Sequence, residues 1–256
     1  MYRRRLKAEL LYHDLKGPLA VIKTSITSLL NKKERYGTLT SQQEKVLQRV
    51  LRNSQIAQSL VDDTLEIGRS EAGVINLKLI KLSTLLSEIL LEISDLTNVA
   101  LSTKLRYGQP LDQLIKILKN KGFYLSIDQT LWDKEFSLDE NKVKQILRNL
   151  ILNAIKYKKT LILLEVAEKK GSLFFSVMDD GKGIPPEYHK KIFERYFQLG
   201  DPEKLEIRGH GLGLAGVQIL VEDMGGKLSL ESDVEKGAKF MVYLPIPKSP
   251  NGLLKR

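Results

Sequence analysis

The stretch Gln145-Ile146-Leu147-Arg148-Asn149-Leu150-Ile151-Leu152-Asn153-Ala154-Ile155-Lys156-Tyr157 organises the reading of everything around it. It falls inside a helix expected over 140–157. Asn149 and Asn153 stand four residues apart and share one helical face, with Lys156 one step further. Two amide oxygens and an ammonium on a single face suit a Mg²⁺–phosphate group, because magnesium takes hard oxygen ligands while bridging phosphates. The plainer reading is two exposed asparagines on a basic helix. Asparagine is a poor mid-helix residue, however, so a pair of them is a modest surprise.

Two glycine clusters follow. Asp179-Asp180-Gly181-Lys182-Gly183-Ile184-Pro185 comes just after an apolar strand, and Gly209-His210-Gly211-Leu212-Gly213-Leu214 opens a helix. Glycine lets the backbone approach a ligand closely and reach positive φ. A helix N-terminus offers free N–H groups and a positive dipole end, which suits phosphate. Neither cluster is followed by Gly-Lys-Ser/Thr, and Leu214 takes the last position of G-x-G-x-x-G in the second. Singly, each reads as turn glycines.

Working outward, residues 3–36 carry helical periodicity in Leu11, Leu15, Leu19, Ile22, Ile26 and Leu29. His13 lies off that stripe. After a polar turn a second helical pattern runs from Leu47 to about Gly68. A lone hairpin of two amphipathic helices cannot bury both stripes, and dimerisation into a four-helix bundle is the economical solution. Past Gly73 the period changes. Strands are expected near 75–79, 123–127, 161–166, 173–178, 227–231 and 239–244. Helices are expected over 83–93, 140–157, 187–197 and 211–225, with one short helix somewhere in 95–120. The class is α+β: a helical hairpin followed by an α/β sandwich, a sheet covered by helices on one face.

Composition narrows the chemistry. The chain has 256 residues, no cysteine and three histidines, His13, His189 and His210. That excludes disulfides, Cys-based metal sites and thiol nucleophiles, and argues against a multi-His metal centre. The net charge of +10 is uneven: residues 1–70 hold 13 Lys/Arg against 7 Asp/Glu. Nucleic acid, anionic lipid or a plain solvated helix would each fit, the last being the default for a charge run. No run reaches the ~18 apolar residues of a membrane helix.

Together these elements resemble the ATP-binding domain of sensor histidine kinases, a fold shared with gyrase B, MutL-type repair proteins and heat-shock chaperone ATPases. Asn149–Tyr157 resembles the N-box, Asp179–Gly183 the G1 box and Gly209–Leu214 the G2 box. Ile192-Phe193-Glu194-Arg195-Tyr196-Phe197 looks like the F-box, and Leu11-Tyr12-His13-Asp14-Leu15-Lys16-Gly17-Pro18-Leu19 the H-box. The resemblance spans about residues 5–246. It implies a dimerisation and phosphotransfer hairpin at 1–70, a linker or hinge at 71–82, an ATP-binding catalytic domain at 83–247 and a tail at 248–256.

The resemblance also implies roles. His13 is the phosphoacceptor, and Asp14 orients its ring and takes up its proton. Asn153 is the main Mg²⁺ ligand, with Asn149 assisting. Lys156 contacts phosphate and Tyr157 packs beside the nucleotide. Asp179 accepts a hydrogen bond from the adenine amino group, with Gly181, Gly183 and Ile184 beside it. Gly209, His210, Gly211, Leu212, Gly213 and Leu214 wrap the phosphates, and 186–208 forms a lid over ATP. The implied partners are a second copy of the chain and the receiver domain of a response regulator. No nucleic acid is expected, and a membrane only through an upstream segment. The implied compartment is the cytoplasm.

Three positions depart from the family pattern. Gly17 stands where Thr or Asn commonly positions water for dephosphorylating the regulator, which argues against phosphatase activity. His210 replaces Ser or Thr, and Gln198 falls where a basic residue is common. They motivate an alternative, an ATP-binding pseudokinase scaffold that recruits a partner through the bundle. A nucleic-acid-binding ATPase ranks last, because no transducer domain follows.

Overall fold

The computed structural model describes residues 2–71, 75–97, 99–105, 109–199 and 211–246, parts of the first helices by backbone alone. The chain divides into two compact units, Met1–Ala72 and Gly73–Arg256.

The first unit is a helical hairpin: α1 (Tyr2–Asn31), a short α2 (Lys33–Tyr36) and α3 (Ser41–Glu71), with α1 packed along α3. Thr40 starts α3 with a capping box. Its hydroxyl accepts the Gln43 N–H at 3.2 Å, and the Gln43 side chain accepts the Thr40 N–H at 2.9 Å. α1 continues through Pro18, whose ring removes the N–H that the Asp14 carbonyl would otherwise accept. Buried Ile26 and the hydroxyl of buried Ser54, which donates to the Leu19 carbonyl at 3.3 Å, tie the helices together.

The second unit begins with β1 (Leu77–Lys81), then α4 (Leu82–Thr97), α5 (Val99–Leu105), α6 (Leu111–Lys119), β2 (Phe123–Ile127) and α7 (Gln129–Trp132). It continues with β3 (Glu135–Asp139), α8 (Glu140–Tyr157), β4 (Ile162–Lys169) and β5 (Ser172–Asp179). Then come 3₁₀ turns at Pro186–Tyr188 and Lys191–Phe193, followed by α9 (Gly213–Asp223), β6 (Lys227–Ser232) and β7 (Ala238–Pro245). The main sheet has the order β2-β4-β5-β7-β6. β2 is parallel to β4, and the other pairs are antiparallel. A parallel pair needs a crossover, which β3 and α8 provide.

One face of the sheet is the core side. Ile162, Leu164 and Val166 of β4, Leu173, Phe175 and Val177 of β5, and Phe240, Val242 and Leu244 of β7 alternate onto it. Helices cover them with Leu85 and Ile89 of α4, Ile146, Leu147 and Leu150 of α8, and Val217 and Leu220 of α9. At ~1.5–3 kcal/mol per buried aliphatic side chain, this layer dominates the stability of the unit.

Two expectations need correction, and two elements go beyond them. Residues 95–120 hold two helices rather than one, because the stripe Leu111, Leu114 and Leu118 packs α6 against β2. The stretch 187–197 holds a pair of 3₁₀ turns, since the chain reaches positive φ at Tyr196 while Tyr188, Phe193 and Phe197 turn inward. Phe193 meets Phe240 edge-on at 6.3 Å, and Tyr188 lies 5.9 Å from Phe197. β3 and α7 were not anticipated. β3 buries Phe136 and Leu138 and pairs antiparallel with β1, which lies inside the stretch read as linker.

Candidate functional site

α8 carries the first group of site residues, and its local sequence explains their direction. Asp139 caps it, its carboxylate accepting the Lys142 N–H at 3.3 Å. Val143, Ile146, Leu147, Leu150, Ile151 and Ala154 recur at helical spacing and bury one stripe. Asn149, Asn153 and Lys156 therefore fall on a flank of that stripe rather than in the core. Asn149 is buried, and Asn153 and Lys156 are half-buried. Tyr157 is 45% exposed, with the Lys156 ammonium 5.0 Å from its ring centroid.

The start of α9 lies against this flank. The Asn149 side-chain amide is 3.5 Å from the Gly213 carbonyl, and a Cβ on Gly213 would come within 3.6 Å of the Asn149 oxygen. The first helical bond runs from the Gly216 N–H to the Leu212 carbonyl, so the N–H groups of the opening turn lack intrahelical acceptors. Gly211, at φ +68, is pressed against the backbone of Tyr196, whose N–H donates to the Gly211 carbonyl at 2.9 Å. Leu214 packs on the core and Leu212 is half-buried.

The third wall is the loop after β5. Asp179 is only 5% exposed and its carboxylate accepts the Gly181 N–H at 2.9 Å. Burial pushes the Asp179 carboxyl above its ordinary value, against the bonds from the Gly181 and Ala238 N–H groups; the Asp180 charge pushes the same way as burial. A Cβ at Gly181 would stand 2.3 Å from the Tyr157 carbonyl oxygen, so the loop touches the end of α8. Gly183, at φ +72, lies on the Asp233 carbonyl, and the Ile184 N–H donates to the Ser232 hydroxyl at 2.9 Å.

Sequence reasoning thus named Asn149, Tyr157, Asp179, Gly181, Gly211 and Gly213; the structure sets Gly213 against Asn149 on α8, and Gly181, beside Asp179, against the Tyr157 carbonyl at its end, while Gly211 packs on Tyr196. His13 and Asp14 belong to α1 in the first unit; Asp14 is exposed, and the His13 side chain is outside the described residues. Gly209 and His210, with residues 200–208 of the expected lid, are also outside them.

Two residues were missed. Asp180 accepts the N–H groups of Lys159, Thr160 and Leu161 and the Thr160 hydroxyl, fixing the turn after Tyr157. The Thr160 hydroxyl leads in holding its carboxyl well below the usual range. Lys142, 1% exposed, pairs with Asp223 and ties α8 to α9. The doubled aspartate was visible as a signal for the first; a lysine among aliphatics hinted at the second.

Among the described residues no cluster of three His, Cys, Asp or Glu could hold a metal, and no helix is long and apolar enough to cross a membrane. A cleft of about 510 Å³ lies elsewhere, at the β2–β4 edge beside Asp128, Glu165 and Glu168. That acidic rim does not suit phosphate.

Residues 138–248 match the family of histidine kinase-, DNA gyrase B- and HSP90-like ATPases, and residues 10–73 match the His Kinase A (phospho-acceptor) domain. The chain belongs to the sensor histidine kinases. It is 29% identical over 235 residues to the circadian input-output histidine kinase CikA of Synechococcus elongatus, covering 91% of this chain and 29% of that one. It is 28% identical over 250 residues to the sensor protein KdpD of Clostridium acetobutylicum, covering 95% of this chain and 25% of that one. The chain therefore spans about a quarter to a third of these relatives. The fold matches the crystal structure of full-length ShkA in complex with AMPPNP at a TM-score of 0.60 and 23% identity, covering 94% of this chain and 45% of that one.

Proposed function

We propose that this kinase phosphorylates its own His13 from ATP and passes the phosphoryl group to an aspartate in the receiver domain of a response regulator. The imidazole nitrogen of His13 forms a bond to the γ-phosphorus, the bond to the bridging oxygen breaks, ADP leaves, and Asp14 takes up the ring proton. The observation that carries this reading is the meeting of Asn149 with Gly213. It joins a face of hard amide oxygens to a helix N-terminus whose N–H groups are open to phosphate.

Asn153 and Asn149 fit Mg²⁺ by donor type, and the bound ion would neutralise charge on the phosphates. Lys156 and the Gly209–Leu214 segment hold the phosphates, Tyr157 flanks the nucleotide, and Asp179 accepts from the adenine amino group. The transferring phosphoryl passes through a loose transition state, so positioning and charge carry the acceleration. Two copies of the hairpin form the bundle, and the hinge lies near residues 69–74, ahead of β1. ATP as donor sets the reaction in the cytoplasm. A Cβ at Gly17 would meet nothing within 4 Å, so no crowding demands glycine there. Its missing side chain argues that phosphatase activity is absent.

Incubation with γ-³²P-ATP is expected to give acid-labile, alkali-stable label that disappears in His13→Gln. Nucleotide binding without any label would leave the scaffold reading instead.

A further inference from the structure

The turn between β6 and β7 is bound to the loop beneath Asp179 at several points. The Ser232 hydroxyl accepts the Ile184 N–H at 2.9 Å and donates to the Gly237 carbonyl at 2.7 Å. The Glu235 N–H donates to the Lys182 carbonyl at 2.7 Å. Gly183 lies on the Asp233 carbonyl, and Gly237, at φ +79, lies on that of Asp179. A side chain at either glycine would collide with backbone oxygen. The register adds a second observation. Ser232 pairs with Ala238, and Ala238 with Asp179, so the three stand in one row across β6, β7 and β5. Cross-strand partners share a face, and here it is the core face on which the candidate site opens.

We propose that Ser232 is a positioning residue for base recognition, holding the 180–184 loop so that the Asp179 carboxylate faces the nucleotide base. This rests on the reading of Asp179 as the adenine acceptor. The hydroxyl serves as acceptor and donor at once. Alanine would orphan the Ile184 N–H at one end of the loop whose other end, the Gly181 N–H, orients the carboxylate. Threonine keeps both bonds and suits a strand end. A site that recognises a base by hydrogen bonds discriminates only as well as its acceptor is aimed.

The test uses the full chain and displacement of a fluorescent ATP analogue by ATP and by GTP, with autophosphorylation kinetics alongside. Ser232→Ala is expected to raise KM for ATP by roughly three- to tenfold, the factor one neutral hydrogen bond carries. Its kcat should be unchanged, the preference for ATP over GTP should shrink by a similar factor, and Ser232→Thr should restore both. A lower melting temperature with unchanged ATP-to-GTP preference would show a merely structural role and overturn the proposal. Asp179→Asn separates the premises. If it leaves base preference unchanged, the reading of Asp179 falls and the proposal with it. If it abolishes the preference while Ser232→Ala leaves the preference unchanged, only the role of Ser232 is refuted.

Discussion

In the helical hairpin Leu15, Val21, Ile22, Val46 and Val50 keep between 41% and 65% of their surface exposed, while in the sandwich Leu85, Ile89, Ile146 and Leu150 keep 0–1%. Both regions are rich in aliphatic residues at regular spacing. Two helices present more apolar stripe than they cover for each other, and the proposed dimer would complete that burial. The sheet with its helical layer closes its own core. On the proposed reading the two do different work: the first unit completes its burial by association, and the second carries the candidate site.

The largest expected effect sharpens that division. Asn153→Ala should cut autophosphorylation by at least about a hundredfold, the order lost with one electrostatic contact to a charged transition state. The oligomeric state, measured by light scattering, should not move. A mutant that lost its dimer as well would break the separation.

The second comparison sets one isoleucine from each region side by side. Ile146→Ala should cost about 2–5 kcal/mol in the sandwich, because its site is fully buried and collapses poorly. That loss should not depend on protein concentration. Ile22→Asp, at a 41% exposed position, should leave the sandwich transition in place. It should lower the hairpin transition and steepen its dependence on concentration, as mass action requires of an associating unit. Calorimetry at two concentrations reads both. A concentration-independent hairpin transition in the unmutated chain would refute the need for a partner.

Legibility in the sequence follows the same line. The β2 and α8 boundaries were read at Phe123–Ile127 and Glu140–Tyr157, where strand alternation and helical spacing are unbroken. β3 escaped because five residues ending on a helix cap offer only two inward positions, Phe136 and Leu138. The 3₁₀ turns at 186–193 escaped because Phe193 packs inward on Phe240 and Tyr188 lies against Phe197, contacts that local spacing does not encode. In the site, the glycines and asparagines were legible from residue type alone. The supports were not: Asp180, Lys142 and Ser232 act through partners 20, 81 and 48 residues away in sequence, which no local pattern encodes.

The smallest effects compare two neighbours in one loop. Asp179 and Asp180 are adjacent, yet their surroundings act on them in opposite directions. Asp180 has a depressed folded value, so its contribution to stability is present above its ordinary value of 3.8 and lost as pH falls through the folded one. Asp179 has a raised folded value. Its contribution is full below 3.8 and lost as pH rises through the folded value, because burial disfavours the ionised carboxylate. Asp180→Asn should therefore lower the melting temperature at pH 7 and weaken the fall of stability in acid. Asp179→Asn keeps an oxygen for the Gly181 N–H and removes the buried charge. It should raise the melting temperature at pH 7 by about 2–4 °C, the size of ~1 kcal/mol in a unit of this length, while weakening ATP binding. Thermal melts of both variants from pH 3 to pH 8 read the two signs, and parallel profiles would contradict the opposed environments. The stabilising substitution is expected at the residue proposed to face the nucleotide base, because a carboxylate held in a buried place for such a role would be a cost that the fold bears for function.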